Sequence, residues 1–159
     1  MIKRILPWLF IVFLSALLII GFAMKDSMNS YLSGMMVRQA GSGVTKSGAA
    51  YVDSLFNYAA NGLSYRITFL EFGAKGCSAC KKMESVMTEV RNRYPEKVNV
   101  VFTDISKPSA QFLIKYFGIA SIPTQVMLDR NGKEFFRHSG YIETEEIRKI
   151  IDDKETGLQ

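Results

Sequence analysis

The sequence predicts an α/β protein with one mixed sheet flanked by helices, preceded by an apolar N-terminal helix. Three observations lead to this fold class. Helix-like and strand-like segments alternate from residue 49 onward. One of the strands is nearly continuous in apolar residues, as expected where helices cover both faces of a parallel sheet. The last two strands flank Asn131-Gly132, a typical hairpin turn that adds an antiparallel edge.

The first segment, residues 1–24, contains an uncharged apolar run from Ile5 to Met24. A helix of this length is ~30 Å long, about the hydrocarbon thickness of a bilayer. Lys3 and Arg4 precede the run, so the positive-inside rule predicts a cytoplasmic N-terminus and a domain on the far side of the membrane. The run exceeds the ~7–15 residues of a signal-peptide core, which favours a retained anchor. Cleavage after the small-x-small segment Gly21–Ala23 is the alternative.

Residues 25–47 are rich in Ser, Gly and Met, and the stretch "QAGSGVTKSG" predicts a flexible linker. Residues 48–159 then form the folded domain. The net charge of +5 is modest, and basic residues are interspersed with acidic ones, which gives little support to nucleic-acid binding. Met24, Met28, Met35 and Met36 carry thioethers that suit Cu(I), but packing near the membrane is the preferred interpretation.

Each element of the domain has its own pattern. The first is a helix from Ala49 to Ala60, with apolar residues at helical spacing and Asn61-Gly62 at its end. The remaining elements follow in the order strand, helix, strand, helix, strand, strand, helix. Their predicted bounds are Tyr65–Phe72, Ser78–Tyr94, Val98–Ile105, Ser109–Phe117 with Gly118 as its cap, Thr124–Asp129, Glu134–His138 and Glu143–Asp152.

The only cysteines of the chain, Cys77 and Cys80, stand where the first strand gives way to a helix. A structural staple, part of a metal site and a redox centre are the competing interpretations. A structural zinc site needs four ligands, and beyond this pair the chain offers one histidine, His138, which suits an edge strand. A staple between residues this close removes little chain entropy.

The redox interpretation explains the position of the pair. At a helix N-terminus, the helix dipole and free amides stabilise a Cys77 thiolate and lower the thiol pKa. Cys80 lies one turn further on, faces the core and can attack Cys77 from within. The sequence therefore favours a redox centre without a metal.

Three segments, "FLEFGAKGCSACKKME", "FGIASIPTQVMLDRNGKE" and "HSGYIETEEI", together resemble the thioredoxin superfamily over about Tyr65 to Ile151. The resemblance implies a thioredoxin-like fold with Cys77 as nucleophile and Cys80 as resolving cysteine, and no cofactor beyond their disulfide. It also implies a cis-proline at Pro123 that faces the disulfide.

The resemblance assigns two further roles. The backbone at Ile122 would pair with an extended substrate segment, as an added strand. Glu71 falls where thioredoxins carry a buried acid that takes and returns the Cys80 proton. An exposed strand residue is the alternative interpretation of Glu71.

The sequence also departs from thioredoxins. Gly76 replaces the tryptophan before the pair and Gly73 replaces another aromatic residue, while Ser78-Ala79 replaces Gly-Pro between the cysteines. These positions influence the reduction potential, so substrate range and direction stay open. Glycines such as Gly76 are expected to leave the surface around Cys77 open, so that it can fit one particular protein partner. Glutamate at position 71 and the "CKKME" helix start resemble membrane-tethered, extracytoplasmic members, including cytochrome c maturation reductases.

The sequence thus predicts a membrane-anchored thiol–disulfide oxidoreductase with its catalytic domain in an extracytoplasmic or periplasmic compartment. Ile122 before the proline resembles reducing members, which favours a protein-disulfide reductase. Its expected partners are disulfide-containing proteins and a transmembrane thiol electron donor. The alternatives are a disulfide oxidase or isomerase, and a binding module in which the cysteine pair is incidental.

Overall fold

The computed structural model describes residues 2–157, and the side chains of residues 8–24 and 27–157. Four strands form one sheet in the order β2-β1-β3-β4. The pair β1–β2 is parallel, whereas β1–β3 and β3–β4 are antiparallel. The strand bounds are Ile67–Gly73 for β1, Val98–Asp104 for β2, Thr124–Leu128 for β3 and Glu134–Ser139 for β4. This arrangement confirms the predicted α/β class with a mixed sheet flanked by helices.

Helices surround the sheet and precede it. Their bounds are Ile2–Ala23 for α1, Lys25–Gln39 for α2, Gly41–Phe56 for α3, Tyr58–Asn61 for α4, Ser78–Arg93 for α5, Gln111–Phe117 for α6 and Thr144–Glu155 for α7, with a 3₁₀ turn at Pro108–Ala110. The predicted bounds of the elements from residue 65 onward are confirmed to within a few residues. Gly62 and Gly118 end α4 and α6 in the left-handed conformation, which explains why glycine stands at both positions.

Both faces of β1 are buried, because each packs against a separate apolar cluster. On one face Phe69 packs with residues of α5 and α7, among them Met83 and Ile147. On the other face Leu70 and Phe72 pack with residues of α3, α6 and β3. Alternate side chains of β1 therefore join different apolar clusters, one on each face of the sheet. Because β1 is a central, fully buried strand, the residues that follow it are held in place.

One pairing differs from the expectation that helices between strands imply parallel neighbours. β3 runs antiparallel to β1, and its first residue, Thr124, pairs with Phe72 near the C-terminal end of β1. β2 ends at that same edge, where Asp104 pairs with Gly73. The connection through α6 therefore begins and ends at the end of the sheet where β1 terminates. The strand that follows, β3, must run in the direction opposite to β1.

The linker predicted at residues 25–47 is helical, so the expectation of a flexible spacer is wrong. α2 occupies Lys25–Gln39, and α3 begins at Gly41, well before the predicted Ala49. The described part of α2 packs against the domain, where Val37 and Ser33 lie directly beside Gly118. This tertiary contact outweighs the flexible-linker composition of the segment. The helix predicted to end at Ala60 is broken at Asn57 into α3 and α4.

Every residue from Trp8 to Met24 is exposed, although nearly all of them are apolar. Among the described residues no single helix is long and apolar enough to cross a membrane. The helical pair Trp8–Ala23 and Ser27–Gln39, bent by 52°, has the length and composition when taken together. Ile5, at the start of the predicted span, lies in α1 outside the described side chains, and the anchor at residues 1–24 stays a prediction.

Candidate active site

The two cysteines lie at the N-terminus of α5, directly after the loop that follows β1. Cys77 is the N-cap residue, with extended backbone, and its Sγ accepts a hydrogen bond from the Cys80 amide at 3.2 Å. The two residues are joined by a disulfide, with their Cα atoms 5.2 Å apart. The prediction that the helix begins just after Cys77 is therefore confirmed. Its first amides and the positive end of its dipole point at the sulfur that is expected to attack.

The two sulfurs differ in their access to solvent. Cys77 is partly exposed, whereas Cys80 is 3% exposed and belongs to the core. A substrate can therefore approach Cys77 from outside, while Cys80 is placed to attack only the sulfur in front of it. Gly76 is exposed, and a Cβ added there would meet no atom within 4 Å, while its role in substrate binding stays a prediction.

Gly73 ends β1 beneath the disulfide. A Cβ at this position would lie 3.3 Å from both Cβ and Sγ of Cys80, and 2.9 Å from Cε2 of Phe102. The ring of Phe102, from the neighbouring strand β2, thus occupies the space that a larger residue at position 73 would need. Where the resemblance leads one to expect an aromatic residue at position 73, this protein has a glycine, and the aromatic ring of Phe102 on β2 packs beside it instead.

Glu71 lies two residues before Gly73, on the same face of β1. Its side chain is 0% exposed, so the alternative of an exposed strand residue is wrong. Burial raises its pKa from 4.5 to about 8, while a hydrogen bond from Gln125 opposes the shift. Two strand residues span ~7 Å, so the Glu71 carboxyl lies about one pleat repeat below the residue that contacts Cys80. The role of Glu71 as acceptor of the Cys80 proton stays a prediction.

The loop before β3 lies beside the end of β1, because Thr124 pairs with Phe72. The Ile122–Pro123 peptide bond is cis, as the resemblance implies. Pro123 is buried, and its carbonyl accepts a 2.7 Å hydrogen bond from the amide of Gly140. The β1–β3 ladder ends at Thr124, so the partly exposed Ile122 lies beyond it, and no described backbone group bonds to Ile122. Its free backbone fits the predicted pairing with an extended segment.

Comparison with known proteins agrees with this geometry. The sequence profile described as "Thioredoxin-like domain" matches residues 56–155, more than half of the chain. The chain belongs to the thioredoxin-like domain family.

Individual relatives support the same assignment. "Putative thioredoxin-4" of Dictyostelium discoideum is 35% identical over 83 residues, which are 52% of this chain and 75% of that protein. "Thioredoxin-like protein HCF164, chloroplastic" of Arabidopsis thaliana is 30% identical over 67 residues, 42% of this chain and 26% of the relative. The thioredoxin-like chain thus spans about a quarter of that relative. The structure of thioredoxin O2 from Arabidopsis thaliana in the oxidized state superposes with a TM-score of 0.52 at 21% identity, covering 65% of this chain and 86% of that one.

Helix α2 adds a contact beside the cis-proline loop of this thioredoxin-like domain. The side-chain amide of Asn29 donates a 2.8 Å hydrogen bond to the hydroxyl of Ser121, two residues before Pro123. A groove of about 190 Å³ opens on the same loop. It is lined by Ile105, Ile114, Ile119, Ala120, Ser121 and Ile122, and so offers an apolar surface next to the backbone of Ile122.

Sequence reasoning missed Gln125, which lies opposite Glu71 on β3. The available signal was a long polar residue inside the otherwise apolar strand "TQVML". His138 lies on the edge strand β4 as predicted, next to Gln125 in the register, and its Nε2 is 3.4 Å from the carbonyl of Tyr141. In the described parts of the chain no cluster of three His, Cys, Asp or Glu residues could hold a metal ion.

Proposed function

We propose that this protein is a thiol–disulfide oxidoreductase that reduces disulfides in protein substrates. The observation that carries the proposal is the pair Cys77–Cys80, with one sulfur partly exposed at the start of α5 and the other buried behind it. The thioredoxin-like family and the disulfide between these residues support redox chemistry. The free backbone of Ile122 and the apolar groove beside it suit an extended peptide as substrate.

The chemistry proceeds in two exchanges. The Cys77 thiolate attacks one sulfur of the substrate disulfide, so that a mixed disulfide forms and the other substrate sulfur leaves as a thiolate. The Cys80 thiolate then attacks Cys77 Sγ, which restores the Cys77–Cys80 disulfide and releases the second substrate thiolate. The substrate disulfide gains two electrons, the dithiol loses two, and the released thiolates take up protons from water.

Glu71 is the base for the second exchange in this proposal. Cys80 is buried, so its thiol needs a nearby acceptor before it can attack. A carboxyl whose pKa lies at about 8 is partly ionised near neutral pH, so a fraction of the molecules carries the carboxylate that accepts the proton. The Glu71 carboxylate therefore takes the Cys80 proton and later passes it to solvent.

A membrane tether extends the proposal. The exposed apolar helix from Trp8 to Met24 suits a lipid environment, with the domain on the extracytoplasmic, periplasmic side that the basic residues before it predict. Asn29 contacts Ser121 only five residues after Met24, a helical rise of ~8 Å, so the cis-proline loop lies near the end of the tether. A transmembrane thiol electron donor at the membrane surface is thus well placed to reduce the disulfide.

The decisive experiment is covalent trapping of partners in cells. The Cys80→Ser variant should accumulate mixed disulfides through Cys77, and mass spectrometry of the trapped complexes then names substrate and donor. The Cys77→Ser variant is the matched control and should trap none. A binding module would instead keep its partners with either cysteine replaced and would form no mixed disulfides.

The direction of the reaction is tested separately. The reduction potential of the domain, equilibrated against glutathione, should be low enough that the dithiol reduces insulin. A strongly oxidising potential would overturn the reductase and favour the oxidase or isomerase. Extraction of the full chain from cell membranes at alkaline pH, with external protease as a probe, tests the tether and the side on which the domain lies.

A further inference from the structure

A buried glutamine faces the buried acid of the site. The register of β1 and β3 places Gln125 directly opposite Glu71, and both side chains are 0% exposed. Nε2 of Gln125 donates a hydrogen bond to Oε1 of Glu71 at 3.4 Å. The remaining oxygens of the pair, Glu71 Oε2 and Gln125 Oε1, are buried without a hydrogen-bond partner. Such orphan acceptors cost free energy, so the pair requires an explanation.

The two orphan oxygens complement each other in one protonation state only. When Glu71 is protonated on Oε2, that hydroxyl is a donor and Gln125 Oε1 is an acceptor, so the acid and the amide can share two hydrogen bonds. When Glu71 is ionised, both orphan oxygens are acceptors, and the bond from Nε2 goes to a charged oxygen, which makes it about twice as strong as a bond between neutral groups and offsets part of the cost of burying the charge. The Gln125 amide therefore forms a hydrogen bond with Glu71 whether the carboxyl is protonated or ionised, and it holds the carboxyl in one orientation.

Among the described residues, no other charged group acts on the Glu71 carboxyl. Its partner on β2 is Phe102, and Cys80 of α5 lies against Gly73, two residues further along β1. His138 on β4 lies beyond Gln125 in the register. From α7 the apolar residues Ile147 and Ile151 pack against this face of the sheet.

The lysines near the site, Lys75, Lys81 and Lys82, are exposed to solvent. The two causes that act on the Glu71 pKa are burial, which raises it, and the Gln125 hydrogen bond, which lowers it. Gln125 thus supplies the contact that stabilises the ionised form of the acid.

We propose that Gln125 is a positioning residue for Glu71, whose side-chain amide holds the carboxyl in the orientation from which it exchanges a proton with Cys80. This inference rests on the proton transfer proposed above. Without the Gln125 amide, no hydrogen bond offsets the effect of burial, and the pKa of Glu71 rises further. Fewer molecules then carry the carboxylate at pH 7, and the attack of Cys80 on the mixed disulfide slows.

The test uses Gln125→Met, which keeps an unbranched side chain of similar length but removes the amide. In the oxidised full chain, the Glu71 carboxyl is titrated by carbon-13 NMR. We expect the midpoint to rise by about one pH unit, and the rate of mixed-disulfide resolution at pH 7 to fall about tenfold. An unchanged or lower midpoint would overturn the proposal. The NMR titration does not depend on turnover, so it judges Gln125 even where the proposed reductase activity fails.

Two further variants separate positioning from folding. In a Glu71→Leu background, Gln125→Met should leave the pH profile of resolution unchanged, and a further shift would show that Gln125 acts elsewhere. The exchange Glu71→Gln with Gln125→Glu keeps an acid facing an amide and should keep the fold, as checked by thermal unfolding. Its carboxyl lies on β3, one strand further from Cys80, so resolution should remain slow. Wild-type resolution in this exchange variant would contradict the proposal.

Discussion

Gly73 lies against Cys80 with no room between them for a side chain. A Cβ at position 73 would come within 3.3 Å of the Cys80 sulfur and within 2.9 Å of the Phe102 ring. The buried half of the disulfide is therefore packed on the backbone at the end of β1. Phe102 on β2 is 40% exposed, so this contact lies near the protein surface.

This contact predicts the effect of a single methyl group. Gly73→Ala should destabilise the oxidised protein by about 1–3 kcal/mol, since the added Cβ must displace Phe102 or the disulfide. Chemical denaturation measures the loss. Gly76→Ala is the matched control, because nothing lies within 4 Å of its Cβ, and its effect should stay within about 0.5 kcal/mol. Equal effects of the two substitutions would show that the packing at Gly73 is unimportant.

The docking of α2 is tested at Gly118, where the backbone is left-handed and Ser33 and Val37 of α2 lie directly beside it. Gly118→Ala combines backbone strain of ~1 kcal/mol with a clash against α2. Gly62→Ala introduces the same kind of backbone strain, but its new Cβ would meet no atom within 4 Å. Its effect therefore measures the cost of the strained backbone alone. We expect Gly118→Ala to cost about 1–2 kcal/mol more than Gly62→Ala.

Hydrogen exchange shows where that extra loss arises. Amides of α2 around Val37 should exchange faster in Gly118→Ala, because the substitution pushes the helix away from the domain. Unchanged protection in α2 would contradict its docking at the end of α6.

A third prediction concerns Tyr58, which is 0% exposed and links α4 to the sheet. Its hydroxyl is 2.7 Å from Thr68 Oγ1 and accepts a 2.9 Å hydrogen bond from Asn99 Nδ2. Tyr58→Phe leaves both partners without their bond and should destabilise the domain by about 1–3 kcal/mol. Tyr51→Phe, at a ring that is 46% exposed, is the control and should change stability by less than about 0.5 kcal/mol. Similar unfolding midpoints in the two variants would exclude a structural role for the buried hydroxyl.

The sequence predicted the domain better than the segment before it, for physical reasons. Strands such as β1 and helices such as α5 are recognisable from the spacing of apolar residues within a short stretch of sequence. The cysteine pair and Pro123 can be recognised from short motifs in the same way. The direction of β3 depends on where the connection from β2 ends, which no local pattern records. The helical segment at residues 25–47 contacts Gly118 through Ser33 and Val37, and no local pattern records a contact between residues so distant in sequence. The partner of Glu71 became visible only when the register placed Gln125 opposite it.

The last prediction follows from the burial of Glu71. Its pKa of about 8 lies above the value of 4.5 for the exposed group, so folding is favoured when the acid is protonated. Below pH ~4.5 the carboxyl is neutral in both states and costs nothing. As the pH rises toward about 8 the unfolded chain ionises first, and stability falls progressively.

The Glu71→Leu variant should therefore gain stability relative to the wild type as the pH rises. The gain at pH 8 should be on the order of 3–5 kcal/mol, and it should vanish near pH 4. Urea unfolding of both proteins between pH 4 and pH 9 measures it, with Glu84→Leu, at an exposed position of α5, as the control. The same Glu71→Leu variant should resolve mixed disulfides more slowly, since Cys80 loses its proton acceptor. A stability difference independent of pH would mean that folding does not raise the pKa of Glu71, which would contradict the effect of its burial.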